Sequence, residues 1–136
     1  MNQLQTVAPI IGRVLLSFMF IMSGLSKIGA YAGTAAYMSS QGIPGALLPL
    51  VILVEVGAGT MLLIGWRARI AAVLLGGFAV ATGVLFHLLP AMGMTDAMAQ
   101  QGEMISFMKN MTIAGGMAFV FAFGAGKFAL DNRARA

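Results

Sequence analysis

The sequence predicts an all-α protein, a single-domain four-helix bundle integral to a membrane with both termini on the inner side. Three observations predict it. Hydrophobic residues make up 60% of the 136 and charged residues only 9%, where a soluble domain carries about 25% charged residues. Four apolar stretches, about Val7 to Gly29, Leu47 to Ile64, Ile70 to Leu89 and Met104 to Gly124, are interrupted by short polar connections. Each approaches the roughly 20 residues with which a helix crosses a bilayer. The cations gather where the spans end, with Arg67 and Arg69 after the second and Lys127, Arg133 and Arg135 after the fourth. By the positive-inside rule that distribution gives an N-in, C-in topology.

Composition also removes whole classes of function. The formal net charge is +4 and the pI near 10.2, yet no basic run with interleaved aromatics is present, so nucleic acid is not an expected partner. The absence of cysteine excludes disulfides, thiolate chemistry and cysteine-ligated metal. A single histidine and scattered acids make no metal ligand set, and one histidine rules out bis-histidine haem ligation within one chain. The twelve methionines and eighteen glycines read as flexible filler and close-packing residues of membrane helices.

In the first span Arg13, Ser17, Phe20, Gly24 and Lys27 share one helical face, a polar stripe that should turn toward the other helices. Ala30 to Ala32 resembles a signal-peptide cleavage site, but residues 1 to 12 carry no basic side chain, so this span is expected in the mature protein. The connection to Pro44 holds a short interfacial helix ending at Gly42, with Tyr31 and Tyr37 at headgroup level. Pro44 can open the second span, and Pro49 kinks its first turns.

The second span carries Glu55 near its middle, with Gly59 on the same face. A charged residue at mid-membrane costs about 2.5 kcal/mol or more unless it finds a partner, a water-filled cavity or a proton. Glu55 is therefore the residue that demands a functional or structural explanation. The third span ends with His87, one turn after Gly83, and Pro90 should stop it. The loop to Gly102 contains Asp96, and Glu103 opens the fourth span, where Ser106, Asn110 and Met117 form a stripe flanked by Lys109. Counting about 1.5 Å per residue, Arg13 lies about 7 Å inside Glu55 and Asn110 about 5 Å outside it, with Lys27, His87 and Glu103 near the outer rim. These positions define a cleft opening outward with Glu55 at its floor and Lys27, His87, Lys109 and Asn110 above it, and with Arg13 either long enough to reach Glu55 from below or turned to the inner surface.

Several short motifs in order support a family resemblance. They are Arg13 followed by GLSK at Gly24 to Lys27, QGIP at Gln41 to Pro44, E-x-G-x-G at Glu55 to Gly59, the LLIG turn, His87, FMKNMTIAGG at Phe107 to Gly116, and GAGKFALD at Gly124 to Asp131. Over essentially its whole length the chain resembles the DoxX family of small bacterial inner-membrane proteins. The resemblance implies a four-helix membrane bundle in the bacterial inner membrane. It also points toward redox function, since the family is named for a subunit associated with thiosulfate:quinone oxidoreduction and other members are linked to redox homeostasis.

The leading functional expectation is a redox-linked component that binds a quinone or similar amphiphile, with no intrinsic cofactor. Phe18, Phe20 and Phe107 would form an apolar slot, His87, Lys27, Lys109 or Asn110 would hydrogen-bond a carbonyl, and Glu55 would accept a proton. Electrons would come from a bound cofactor or a soluble or membrane redox partner protein, which leaves open whether the chain is an enzyme or an accessory subunit of one. Two alternatives stay open. A proton-coupled transporter or pore would need a homo-oligomer to widen the path, and an assembly subunit would use the polar stripe only to fix helix register.

Overall fold

The computed structural model describes residues 3–133, all of the regular structure being helical. Arg135 and the side chain of Arg133, part of the basic terminus, lie outside the described residues. Four helices are long and apolar enough to cross a membrane: α1 (Gln3–Gly29), α3 (Gly45–Ile64), α4 (Ala68–Gly93) and α5 (Ala97–Phe123). A ten-residue helix, α2 (Tyr31–Ser40), lies between α1 and α3, and a short α6 (Leu130–Arg133) closes the described chain. The hydrocarbon solvent explains the helical monotony, because backbone groups that cannot reach water must bond within their own segment.

The pairwise packing runs α1 on α3, α3 on α4, and most extensively α4 on α5. The core is built of small and medium side chains: Ala68, Ala71, Ala72, Leu75 and Ala79 of α4, Leu62 of α3, Phe20 of α1 and Met117 of α5. The large apolar side chains instead cover the outside. Leu15 and Phe18 of α1, Leu53 of α3 and Phe119 of α5 are all well over half exposed, as expected when lipid takes the place of water. Small residues inside let the backbones approach. A Cβ on Gly24 would sit 2.6 Å from Val56 Cγ2, and one on Gly59 would sit 2.9 Å from Ile21 Cγ1, so these two glycines set the spacing of α1 and α3.

Several boundaries differ from the sequence expectation. Pro90 does not stop α4, which continues to Gly93. A π-helical turn at Val84–Leu88, in which the Leu89 N–H reaches back to the Val84 carbonyl, widens the helix just ahead of the proline and makes room for its ring. Helix α5 begins at Ala97 rather than near Glu103, because Asp96 is its N-cap and accepts a hydrogen bond from the Ala99 N–H at 2.8 Å. The second departure from α geometry, a π-turn at Leu53–Ala58, surrounds Glu55. The helix α2 ends at Ser40 and is followed by Gly42 at φ 77, where the chain reverses toward Pro44.

At the opposite end of the bundle the chain folds back on itself after α5. Gly124 (φ 82) and Gly126 (φ 83) reverse its direction, Ala125 and Ala129 become buried, and the Asp131 N–H donates to the Gly65 carbonyl at 2.9 Å. Asp131 then caps α4: its two carboxylate oxygens accept from the backbone N–H groups of Arg67 at 2.6 Å and Ala68 at 2.8 Å.

Candidate functional site

A cleft of about 330 Å³ lies in the half of the bundle away from the termini. Helix α1 contributes Met19, Phe20, Ser23 and Lys27, and α3 contributes Val51 and Glu55. From α4 come Phe78, Thr82, Phe86 and His87, and from α5 comes Asn110. The short helix α2 covers this end with Thr34, Tyr37 and Met38. The apolar part of the walls includes two aromatic pairs. Phe20 meets Phe78 edge-on at 6.4 Å, and Tyr37 stacks on Phe86 at 5.8 Å, so Tyr37 serves the cleft as well as the end of the bundle.

The polar content of the cleft is concentrated in two clusters. The first is built on Glu55, only 3% exposed. The Lys27 ammonium lies 2.9 Å from each carboxylate oxygen, and the Ser23 hydroxyl donates to Oε1 at 3.0 Å. Lys27 also donates to the Ser23 oxygen at 2.6 Å, one turn back along α1. Glu55 Oε2, although within ion-pair distance of Lys27, accepts no well-oriented hydrogen bond. It is a buried acceptor with capacity to spare. The second cluster joins His87 Nδ1 to Glu103 Oε2 at 2.6 Å across the α4 and α5 pair. With Nδ1 engaged, Nε2 is the ring nitrogen left for a ligand.

Each cluster includes a residue of a π-turn, Glu55 in Leu53–Ala58 and His87 in Val84–Leu88. Such turns are rare and recur at functional sites, because the extra residue re-aims a side chain without ending the helix.

Of the residues singled out from the sequence, the structure brings Glu55, Lys27, His87 and Asn110 to one cleft. Asn110 packs against Gly83, where an added Cβ would come 3.0 Å from its own Cβ. Lys109 is exposed on the outer face of α5, beside Ile105 and Thr112, and does not line the cleft. Arg13 does not reach Glu55. Its guanidinium lies toward the other end of the bundle, against Gly65 and Ala129, and its Nε and Nη1 have no hydrogen-bond partner among the described residues. The reason is geometric: a helical Cα–Cβ bond tilts toward the helix N-terminus. Arg13 therefore points away from mid-membrane, whereas Lys27, near the C-terminal end of α1, points back into it and finds Glu55.

The aromatic slot also differs in membership. Phe20 lines the cleft, Phe18 is 63% exposed toward lipid, and Phe78 and Phe86 stand where Phe107 was expected. Sequence reasoning overlooked Ser23, Glu103, Thr82 and Tyr37 as functional groups. Two of them left a signal. Ser23 is one turn before Lys27, and Glu103 and His87 are equidistant along the chain from Thr95, which puts them at one depth on antiparallel helices.

Comparison with known proteins agrees with this architecture. The family model described as DoxX matches residues 8–88. The chain is 40% identical over 132 residues to the inner membrane protein YqjF of Escherichia coli (strain K12), covering 97% of this chain and 95% of that protein. It is 35% identical over 130 residues to the inner membrane protein YphA of the same organism, covering 93% and 90% respectively. No solved structure matches the chain.

Proposed function

This chain belongs to the DoxX family, and from that membership and the cleft we propose a multi-pass inner-membrane protein that binds a quinone, or an amphiphile with a similar head, as a redox-linked component. Two relatives that are themselves inner membrane proteins support the location. Both termini are assigned to the cytoplasmic side, since Arg67, Arg69 and Lys127 belong to the end of the bundle where the chain starts and finishes.

The observation that carries the reading is the pairing of Glu55 with Lys27 and Ser23 inside an aromatic cleft. Few polar groups converging within apolar walls are the usual makings of a small-molecule site. The fit to the two forms of a quinone differs. A quinone carbonyl is an acceptor, suited to a Lys27 proton or to a protonated His87 Nε2. A quinol hydroxyl is a donor, and the unfilled acceptor capacity of Glu55 Oε2 suits it. Glu55 is thus the group that takes one proton from a bound quinol and the free Nε2 of His87 takes the other, with Lys27 holding the carboxylate and Glu103 steadying the imidazole. Interconversion of quinol and quinone moves two electrons and two protons. The cleft side chains handle protons and orientation, and the electrons pass to or from a redox partner protein.

The test is binding of a short-chain quinone and its quinol to the purified protein in detergent, followed by calorimetry. Saturable binding is expected, with Glu55→Gln weakening the quinol about tenfold, the loss of one charge-assisted hydrogen bond, and the quinone less. Absence of saturable binding, or a variant that loses affinity for quinone and quinol equally, overturns the reading.

A further inference from the structure

At the terminus-bearing end of the bundle lies a second, wider groove of about 630 Å³, remote from the cleft. It is lined by Arg67 and Arg69 at the start of α4, Lys127 and Asp131 of the returning segment, and the apolar side chains of Trp66 and Phe123. We propose that this groove binds the phosphate headgroup of an anionic phospholipid.

One acid stands among three cations in the groove. Both oxygens of Asp131 are committed to the backbone N–H groups of Arg67 and Ala68, at 2.6 and 2.8 Å. The carboxylate therefore caps α4 and, among the described residues, forms no ion pair with a side chain. The positive groups retain donors for something else. Arg67 lies over the Trp66 ring at 5.6 Å, which orients the guanidinium without using its N–H groups. Arg69 spends one nitrogen on a long contact to the Ala122 carbonyl, 3.4 Å. No salt bridge to Lys127 occurs among the described residues. Arg67 itself has φ 46, the one positive value among described residues other than glycine, so the turn that presents it is held in an unfavourable backbone conformation by the Asp131 cap.

The rim of the groove decides between a soluble anion and a lipid. Phe123 is 78% exposed, Ile70 50% and Trp66 49%, and these side chains continue the apolar outer surface of α4 and α5. A phosphodiester held by the guanidinium forks of Arg67 and Arg69 and by the Lys127 ammonium would leave its acyl chains against those rings, in the hydrocarbon where they already lie. A free phosphate gains the charge contacts and leaves the apolar rim unused.

The experiment is native mass spectrometry of the full chain with phosphatidylglycerol, phosphatidylcholine or inorganic phosphate added to the same detergent. Wild type should retain phosphatidylglycerol over phosphatidylcholine by about tenfold or more, and Arg67→Gln/Lys127→Gln should remove most of that preference. The charge-preserving Arg67→Lys/Lys127→Arg variant should keep most of it. Lys109→Gln, on the lipid-facing side of α5, should leave it unchanged. Should the Gln variant fail to fold, the preference of wild type must still collapse as added salt screens the groove. Equal retention of the two lipids, a preference that survives the double Gln change or high salt, or an equal loss with Lys109→Gln overturns the site. Displacement of the lipid by millimolar inorganic phosphate makes it a free-anion site and overturns the lipid assignment.

Discussion

Two charged side chains are buried to nearly the same degree in this bundle, and the two halves of the molecule treat them in opposite ways. Glu55, at 3% exposure, is matched by Lys27 at 2.9 Å and by Ser23 at 3.0 Å. Arg13, at 5%, has neither Nε nor Nη1 in a hydrogen bond, and the Asp131 carboxylate acts on it only through space because its oxygens are already bonded to α4. The difference teaches that charge complementarity along a sequence does not choose partners. Side-chain direction and the position of competing donors choose them.

That contrast can be broken most severely at Lys27. Lys27→Met leaves the Glu55 carboxylate buried and uncompensated, and should cost about 3 kcal/mol in equilibrium unfolding from mixed micelles. Glu55→Gln should cost less, about 1 kcal/mol, because the ammonium it abandons is 24% exposed and can reach water or lipid headgroups. The double variant should recover much of the loss. Strict additivity of the two changes would show that the pair is not energetically coupled.

An intermediate effect is expected at the other end. Asp131→Ala removes the cap on Arg67 and Ala68, so a loss of about 1 kcal/mol should accompany faster amide exchange at the start of α4. Exchange there unchanged from wild type would mean that the returning segment does not hold the turn.

The smallest effect is expected at Arg13. Arg13→Met exchanges a poorly bonded guanidinium for an apolar chain and leaves the Asp131 hydrogen bonds in place, so stability should move by less than about 1 kcal/mol in the same unfolding assay. A loss as large as that of Lys27→Met would show that Arg13 has a partner of comparable strength.

Much of the site was within reach of the sequence, though its partner assignments were not. The depths of Glu55, Lys27, His87 and Asn110 follow from counting residues along each span, and all four line the cleft. Of the two directions open to Arg13, the structure takes the one toward the inner end, a choice that a helical wheel cannot make because it gives the azimuth of a side chain and omits its tilt toward the N-terminus. Lys109 was assigned by proximity to Asn110, yet adjacent helical residues face about 100° apart, and Lys109 turns outward. The π-turns around Glu55 and His87 escaped notice altogether. Only Pro90 hinted at one of them, through its missing N–H.

By itself the sequence determined the solvent and the number of crossings, because long apolar runs with so few charges can satisfy their backbone in lipid only as helices. Its motif order also determined the family. The tertiary structure alone decided that Lys27 rather than Arg13 meets Glu55, that Glu103 steadies His87, and that Asp131 returns from the far end of the chain to cap α4. Those contacts depend on how closely neighbouring backbones approach and where each turn aims its side chains. Gly24, Gly59 and the two π-turns set both, and they do so only once the helices are packed together.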